Sequence, residues 1–482
     1  MRSSSVVWED RDTDMGSPLT ELSDETSSIS PDAPAISPGQ RMLSVDEVYD
    51  RIFSCCSPGT LIRLSWTCRA AYAALHSYYR RGFNINRHLA RYFPDPRAFR
   101  CLQARTGTLV SGSNALQFFD RTHYPNSDLD LYVSMTDAVV VADWLVAAGY
   151  VYQARHDQAQ ALRVALFRMV ENYESMESLE DAFVWMNYGL PGVAGVFTFV
   201  KPVDTTRSTT SPMETDDDDD IAVGEMTEVD SSGSESEDGT EEPPSLLKVQ
   251  IIAAITMPLA CILEFHSSCV FNFITHEKAY SLYPKATFED RRTLLFKPAN
   301  RLKPATQRAI EKYRQRGWKI LYNAPPHWYD IGGPKPGPDD PKDSALECTS
   351  RWADDGLTWV IPLTKDGVSA RIDDATCRCD PHAAYNLRWV HDDPHPDPAP
   401  VTNWHLRTRW KRNQRHEQPC YAVVSSPALR DSYVIADREL QDIVKTRFHP
   451  LRAYMLGTED GIFSPDVPRN LRLRPPYGYK PL

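Results

Sequence analysis

The predicted fold is decided by two short runs, Val110–Leu116 (VSGSNAL) and Asn126–Val133 (NSDLDLYV). The first run predicts an apolar strand, a Gly-Ser turn and the start of an amphipathic helix, and the second run predicts another strand. Successive side chains of a strand point to opposite faces, so Asp128 and Asp130 share one face and the two leucines share the other. This order of elements predicts an α+β fold with a mixed sheet.

The spacing of the two aspartates favours a bound cation. Two carboxylates this close repel each other, which destabilises the fold unless a positive charge lies between them. A divalent metal, Mg²⁺ or Mn²⁺, is the usual cation, so Asp128 and Asp130 are the candidate metal ligands. The helix that begins at Gly112 and Ser113 offers backbone N–H groups to the phosphates of a nucleoside triphosphate. Together these features predict metal-assisted transfer of a nucleotide.

The same residues resemble the signature of the nucleotidyltransferase superfamily, which is Gly-Ser, a helix, and then Asp-x-Asp on the next strand. The longer strings Ser113–Arg121 and Ser127–Leu131 resemble a family of fungal proteins that carry this domain, and the resemblance covers residues 98–325. Three later stretches support it: Phe265–Thr275, Lys278–Pro284 and Ala286–Arg292. The resemblance implies that the Gly-Ser pair holds the triphosphate and that the two aspartates bind the metal.

Active members of the superfamily usually carry a third carboxylate on a neighbouring strand, where it helps to activate the attacking hydroxyl. The matching strand here is Leu247–Ile252, and its alternation gives Gln250 that position. An amide can orient a hydroxyl but cannot act as a base or neutralise a second metal. Glu264, on a predicted helix, is a weak substitute. Two alternatives stay open: a degenerate, non-catalytic domain, and an active enzyme that transfers a nucleotide to a hydroxyl of a protein, an RNA or a small molecule.

Amphipathic helices are predicted before this domain, over residues 43–85. Apolar residues recur at helical spacing from Val45 to Phe53, and Ser57-Pro58 predicts the start of a second helix. This region resembles an F-box, with Ser44 where the family usually has proline. The resemblance implies docking to a Skp-type adaptor of a cullin ubiquitin ligase. The candidate adaptor contacts are Ile52, Phe53, Leu61 and Leu64. The alternative is that these helices only brace the following domain.

The net charge of −12 is unevenly distributed along the 482 residues. Fifteen acidic residues and one basic residue lie between Val203 and Ser245, and residues 1–42 are rich in Ser, Asp, Glu and Pro. Both 1–42 and the acidic insertion 203–246 are predicted to be disordered, because such compositions cannot bury enough apolar surface to fold. The run of five aspartates, Asp216 to Asp220, is expected to be a solvated, self-repelling segment rather than a metal site.

The sequence also predicts where the protein resides. No apolar run reaches the length of a membrane span, and the first residues lack the apolar segment of a secretion signal. The ten cysteines are scattered and are expected to stay reduced. These features predict an intracellular protein, in the cytoplasm or the nucleus, that does not contact a membrane.

A Pro- and Gly-rich linker is predicted over 326–350. The region that follows, 351–482, has no sequence pattern that identifies a fold. Its cysteines and histidines suggest zinc, although the spacing differs from that of common structural sites. The residues concerned are Cys377, Cys379, His382, His391, His395 and Cys420.

The basic, aromatic stretch Trp404–Arg415 (WHLRTRWKRNQR) suggests nucleic-acid binding, since bases stack on aromatic rings and arginines bind phosphates. A solvated helix whose tryptophans reach the core is the preferred alternative.

Overall fold

The protein is described by a computed structural model that combines helices with a mixed sheet, which confirms the predicted α+β fold. The chain divides into two compact units, Met1–Gly82 and Phe83–Leu482. The described residues are 38–124, 127–174, 192–202, 246–255, 257–297, 302–322, 346, 350–369, 397–398, 402–411, 414–425, 433–436 and 452–456.

The first unit is helical in its described part. Its helices are α1 Pro38–Met42, α2 Asp46–Ser54, α3 Pro58–Ser65 and α4 Arg69–Gly82. As predicted, Ser57 caps α3, because its Oγ accepts a hydrogen bond from the Thr60 backbone N at 3.3 Å. The prediction of disorder over 1–42 is wrong for the residues of α1, which form a helical turn, and residues 1–37 lie outside the described part.

The core of the first unit forms where α2 packs against α4. The Phe53 ring meets the Tyr78 ring edge to face, with ring centroids 5.5 Å apart. Arg81 of α4 donates two hydrogen bonds to the Asp50 carboxylate of α2, at 2.6 and 2.8 Å. Phe53 and Leu61 are fully buried. These two predicted adaptor contacts are therefore core residues that hold the helices together, since a side chain without exposed surface cannot touch a partner.

The second unit contains both helices and strands. The described helices are α5 Ile85–Leu89, α6 Pro96–Thr106, α7 Gly112–Asp120, α8 Ala138–Ala147, α9 Leu162–Glu174, α10 Pro258–Leu263 and α11 Pro304–Gln315. The described strands are β1 Leu109–Ser111, β2 Leu129–Ser134, β3 Val151–Gln153, β4 Val193–Pro202, β5 Leu246–Ala254, β6 Asn272–Ile274, β7 Lys278–Ser281, β8 Arg292–Leu294, β9 Lys319–Leu321, β10 Ser350–Trp352, β11 Trp359–Pro362, β12 Asn403–Lys411, β13 Gln414–Ser425, β14 Tyr433–Ile435 and β15 Arg452–Leu456.

The main sheet has eight strands in the order β11-β7-β6-β1-β2-β5-β4-β3. The β2–β5 pair is parallel and the other pairs are antiparallel, so the sheet is mixed as predicted. Its edge strand β11 comes from beyond the predicted domain end at residue 325, and the boundary predicted there is therefore too early. Most of the predicted linker 326–350 lies outside the described residues, as does the acidic insertion from 203 to 245.

Turn chemistry explains where the helices beside the sheet begin and end. The Asp95 carboxylate accepts hydrogen bonds from the Arg97 and Ala98 backbone N atoms at the start of α6, and Gly107 ends that helix with a φ of 62°. Gly149 has a φ of 89° just after α8, so the predicted helix from Ala138 to Ala148 is confirmed within one residue. These signals are local, which is why the sequence predicts them well.

A second sheet contains β10, β12, β13 and β14 in that order, with β15 paired to β13. The stretch Trp404–Arg415 therefore lies on a β-hairpin, and the preferred prediction of a helix there is wrong. Trp404 is nevertheless fully buried, as the prediction of a core tryptophan required. Of the suggested zinc residues only Cys420 lies in the described part, where it is buried. No helix among the described residues is long and apolar enough to cross a membrane.

Candidate functional site

The two aspartates and the Gly-Ser turn meet where β1, β2 and α7 join. In the antiparallel β1–β2 pair, Ser111 lies opposite Asp130, and α7 begins at the next residue, Gly112. The Asp130 carboxylate lies so close to the Gly112 backbone that a Cβ atom at position 112 would overlap Asp130 Oδ2. Gly112 also has a φ of 67°, which glycine adopts without strain. The turn and the carboxylate therefore form one site, as the sequence predicted.

The Ser113 hydroxyl does not face open solvent. Its Oγ lies 2.9 Å from Ser127 Oγ, which also accepts a hydrogen bond from Gln117 Nε2 at 2.6 Å. Gln117 Oε1 in turn accepts a hydrogen bond from the Tyr124 backbone N at 2.8 Å. Since this network is buried, Ser113 positions the chain just before Asp128. A triphosphate could be held by Ser113 only after these hydrogen bonds rearrange.

A second set of polar residues, which the sequence did not single out, supports this network. Tyr92 donates its hydroxyl to the Ser127 carbonyl at 2.6 Å and accepts a hydrogen bond from Asn114 Nδ2 at 3.1 Å. The Asn114 side-chain oxygen Oδ1 lies 2.7 Å from His88 Nε2, and because an amide oxygen only accepts, Nε2 is the donor of this hydrogen bond. Burial raises the pKa of Tyr92 to about 12, and it stays a neutral donor. Only the tertiary fold brings α5 to this site.

Gln250 lies where the third carboxylate was expected. Asp130 pairs with Gln250 across the parallel β2–β5 ladder. Gln250 is buried, and its Oε1 accepts no hydrogen bond from the described residues. The predicted strand is therefore confirmed, and the residue that it places opposite Asp130 is a neutral amide.

Lys248 supplies the positive charge that the two aspartates require. Its Nζ lies 2.8 Å from Asp128 Oδ2, and the carboxylate is largely buried while the lysine is about one-third exposed. Lys248 stands two residues before Gln250, so strand alternation places both on the face that carries the aspartates of β2. The alternation that identified Gln250 could have identified Lys248 as well.

Burial raises the pKa of both aspartates. For Asp130, burial and the nearby charge of Asp128 together raise the pKa to about 8, against the lowering effect of Lys248. Burial also raises the pKa of Asp128, against the lowering effect of Lys248. The raised pKa favours the protonated form of Asp130, and its Oδ1 has no hydrogen-bond partner among the described residues. A protonated carboxyl can donate a hydrogen bond but is a poor metal ligand.

The residues at this site do not fit a catalytic Mg²⁺ or Mn²⁺ ion. Such ions take several oxygen ligands with enough negative charge to offset their own. Here Asp128 is paired with Lys248, burial raises the pKa of Asp130, and Gln250 brings no charge. Glu264, the weak substitute, lies 2.9 Å from the Tyr421 hydroxyl instead. Across the described ranges, no group of three or more His, Cys, Asp or Glu side chains could hold a metal ion.

Comparison with known proteins finds no family model, no curated protein and no solved structure that matches this chain.

Proposed function

We propose that this chain is an F-box-like adaptor whose nucleotidyltransferase-like domain is non-catalytic. In this proposal the helical unit docks on a Skp-type adaptor, and the larger unit recognises a target for a cullin ubiquitin ligase in the cytoplasm or the nucleus. The observation that carries the proposal is an exposed apolar stripe on α2.

The stripe consists of Val45, Val48 and Ile52, which are 41%, 43% and 39% exposed. Their spacing places them on one side of the helix, beside the buried Tyr49 and Phe53. Helix α2 thus buries one part of its apolar face in its own unit and leaves the other part in solvent. An apolar helix face that nothing in its own unit covers is typical of a protein-docking surface.

Two further residues add to this surface. Trp66, just after α3, is 74% exposed, and Leu64 is half-buried. An exposed tryptophan loses much apolar surface when a partner covers it, and tryptophans are enriched among residues that dominate binding energy. Of the four predicted adaptor contacts, Ile52 and Leu64 therefore keep that role in the proposal, while Val45, Val48 and Trp66 join them.

The candidate site supports the non-catalytic half of the proposal. The general base expected at position 250 is an amide, and the ammonium of Lys248 lies where a metal would bind Asp128. The Lys248 ammonium balances the charge of the Asp128 carboxylate without any need for a metal or a substrate. The domain can therefore retain its architecture after the chemistry is lost.

We expect Ile52→Asp to weaken binding of a purified Skp-type adaptor at least about tenfold, because a buried interface must then desolvate a carboxylate. Ile52 is exposed in the free unit, so the variant should fold normally, which circular dichroism checks. Affinity is measured by calorimetry or surface binding with the full-length chain.

Ser54→Asp is the matched control, since it introduces the same charge on the opposite side of α2, where Ser54 is exposed. It should bind the adaptor like the wild type. The adaptor proposal fails if the wild-type chain does not bind a Skp-type protein, or if both variants lose binding equally.

One observation favours the alternative of an active nucleotidyltransferase: Asp130 lies directly against the glycine that begins α7. The test is incubation with labelled nucleoside triphosphates and Mg²⁺ or Mn²⁺, beside an Asp128→Ala, Asp130→Ala double variant. We expect the wild-type chain to incorporate no more label than the double variant. Incorporation that the double variant abolishes would replace our proposal with the enzyme.

A further inference from the structure

Strands β8 and β9 form a small sheet of their own, in which they run parallel. The Lys319 backbone N donates a hydrogen bond to the Arg291 carbonyl at 2.7 Å, and the Leu321 carbonyl accepts one from the Leu295 backbone N at 2.9 Å. Since the backbone groups of successive strand residues point to opposite edges, the N–H and C=O of Ile320 point away from β8. They have no backbone hydrogen-bond partner among the described residues. The edge of β9 is therefore open at Ile320.

A cavity of about 470 Å³ lies beside this open edge. Its walls are formed by described residues of α11, of β9 and next to them, and none of these residues belongs to β8. The cavity therefore lies on the side of β9 that β8 leaves unpaired. Its volume falls within the range of about 300–1,000 Å³ that is usual for ligand sites.

One wall of the cavity is apolar and rigid. Ile310 and Trp318, which line it, are buried, and Leu302 is half-buried. The indole of Trp318 is fixed in place, because its Nε1 donates a hydrogen bond to the Thr287 carbonyl at 2.9 Å and its ring meets the Tyr313 ring edge to face. Such a wall suits an apolar side chain, since it loses little conformational freedom when a ligand covers it.

The remaining lining of the cavity carries an unbalanced positive charge. Glu311 and Arg314 lie one turn apart on α11 and offset each other, with Arg314 Nε 2.8 Å from Glu311 Oε2. Lys319 also lines the cavity, is exposed, and forms no ion pair within the part of the chain that the structure describes. The open charge beside the cavity is therefore that of Lys319, and a carboxylate complements it.

We propose that the cavity and the open edge of β9 bind an extended peptide segment of a partner protein, which carries both an apolar and an acidic side chain. The peptide backbone pairs with Ile320, the apolar side chain enters the cavity against Trp318, and the carboxylate faces Lys319. A strand added to a sheet edge gains affinity from main-chain hydrogen bonds and selectivity from pockets for alternate side chains. An extended peptide uses the backbone groups and the cavity together, so it fits this place better than a small molecule. This inference stands apart from the adaptor proposal, since it concerns the second unit alone and needs no Skp-type protein.

The experiment begins with selection of random dodecapeptides, displayed on phage, against the full-length protein. We expect the enriched peptides to alternate apolar and acidic residues. A labelled synthetic copy of the most enriched peptide then reports affinity by fluorescence anisotropy. Lys319→Glu should weaken its binding at least about tenfold, because attraction of the carboxylate becomes repulsion. Lys285→Glu is the matched control, since Lys285 is exposed in the same unit and does not line the cavity, and it should bind like the wild type.

Two further changes separate strand addition from simple filling of the cavity. Methylation of the one peptide nitrogen that pairs with Ile320 should weaken binding about three- to tenfold, because it removes a main-chain hydrogen bond. Methylation of the two adjacent nitrogens, which point away from β9, should have little effect. Gln307→Trp places a large ring on an exposed part of the cavity lining without a change of charge, and it should also weaken binding. Thermal unfolding verifies that each variant is folded.

Three results would overturn the proposal: no enriched peptide, equal effects of Lys319→Glu and Lys285→Glu, or equal tolerance of methylation at every peptide nitrogen. The last result, together with weaker binding by Gln307→Trp, would mean that the cavity accepts a side chain without any strand addition.

Discussion

Replacing Gly112 with alanine is expected to destabilise the second unit by about 3 kcal/mol. Two effects add: an alanine at a φ of 67° has a strained backbone, and its Cβ would overlap the Asp130 carboxylate. Asp130 has little room to move, because it is buried and its strand is paired on both sides, by β1 and by β5. Urea unfolding followed by fluorescence measures the loss of stability.

Gly317→Ala is the control for backbone strain alone. Gly317 has a φ of 94°, and an added Cβ would meet nothing within 4 Å. We expect this variant to lose only about 1–2 kcal/mol, so the difference between the two variants reports the overlap with Asp130. Equal losses would mean that Asp130 moves away at no cost, which would contradict the close contact on which the site depends.

Asp130→Asn is expected to stabilise the protein at alkaline pH and to have little effect at acidic pH. Burial raises the pKa of Asp130 to about 8, from an ordinary value of 3.8. Between these two values the unfolded chain releases the proton while the folded chain retains it, so folding stability falls as pH rises. Each unit of pKa difference corresponds to about 1.4 kcal/mol, and relaxation of the buried site reduces the sum. An asparagine has no proton to release, so it avoids this loss.

The measurement is the free energy of unfolding of both proteins from about pH 4 to about pH 8.5. The two curves should meet near pH 4 and diverge by about 2–5 kcal/mol at the alkaline end. The convergence at low pH is the internal control, because both side chains are then uncharged. Curves that stay parallel would show that Asp130 is ionised in the folded protein, and Asp130 would then be a competent metal ligand.

Several features of the site could be predicted because they depend on strand alternation. A side chain's face follows from whether its position is odd or even along the strand, and this was enough to place Asp128, Asp130 and Gln250 together. Lys248 obeys the same rule and could have been predicted. His88 of α5 could not, since nothing local in the sequence links it to Asn114 of α7, whose side-chain oxygen it contacts.

The strand and helix assignments failed where long-range contacts decide the outcome. The Trp404–Arg415 stretch has no clear period, and pairing between β12 and β13 decides that it is extended. Strand β11 joins the main sheet through β7, a partner far away in the chain. No local pattern in the sequence identifies such a distant pairing partner. The domain end predicted at residue 325 therefore lies before the true end of the sheet.

The amino-acid sequence alone determined the order of elements around Gly112, the shared face of the two aspartates and the amide at position 250, because turns and alternation are properties of neighbouring residues. The tertiary structure decided which of these groups carry charge and which surfaces remain exposed. Burial of Asp130 and the ion pair between Lys248 and Asp128 depend on strands that meet only in the folded sheet. Similarly, Val45, Val48 and Ile52 remain exposed while Phe53 is buried, because α4 packs on only one part of the apolar face of α2.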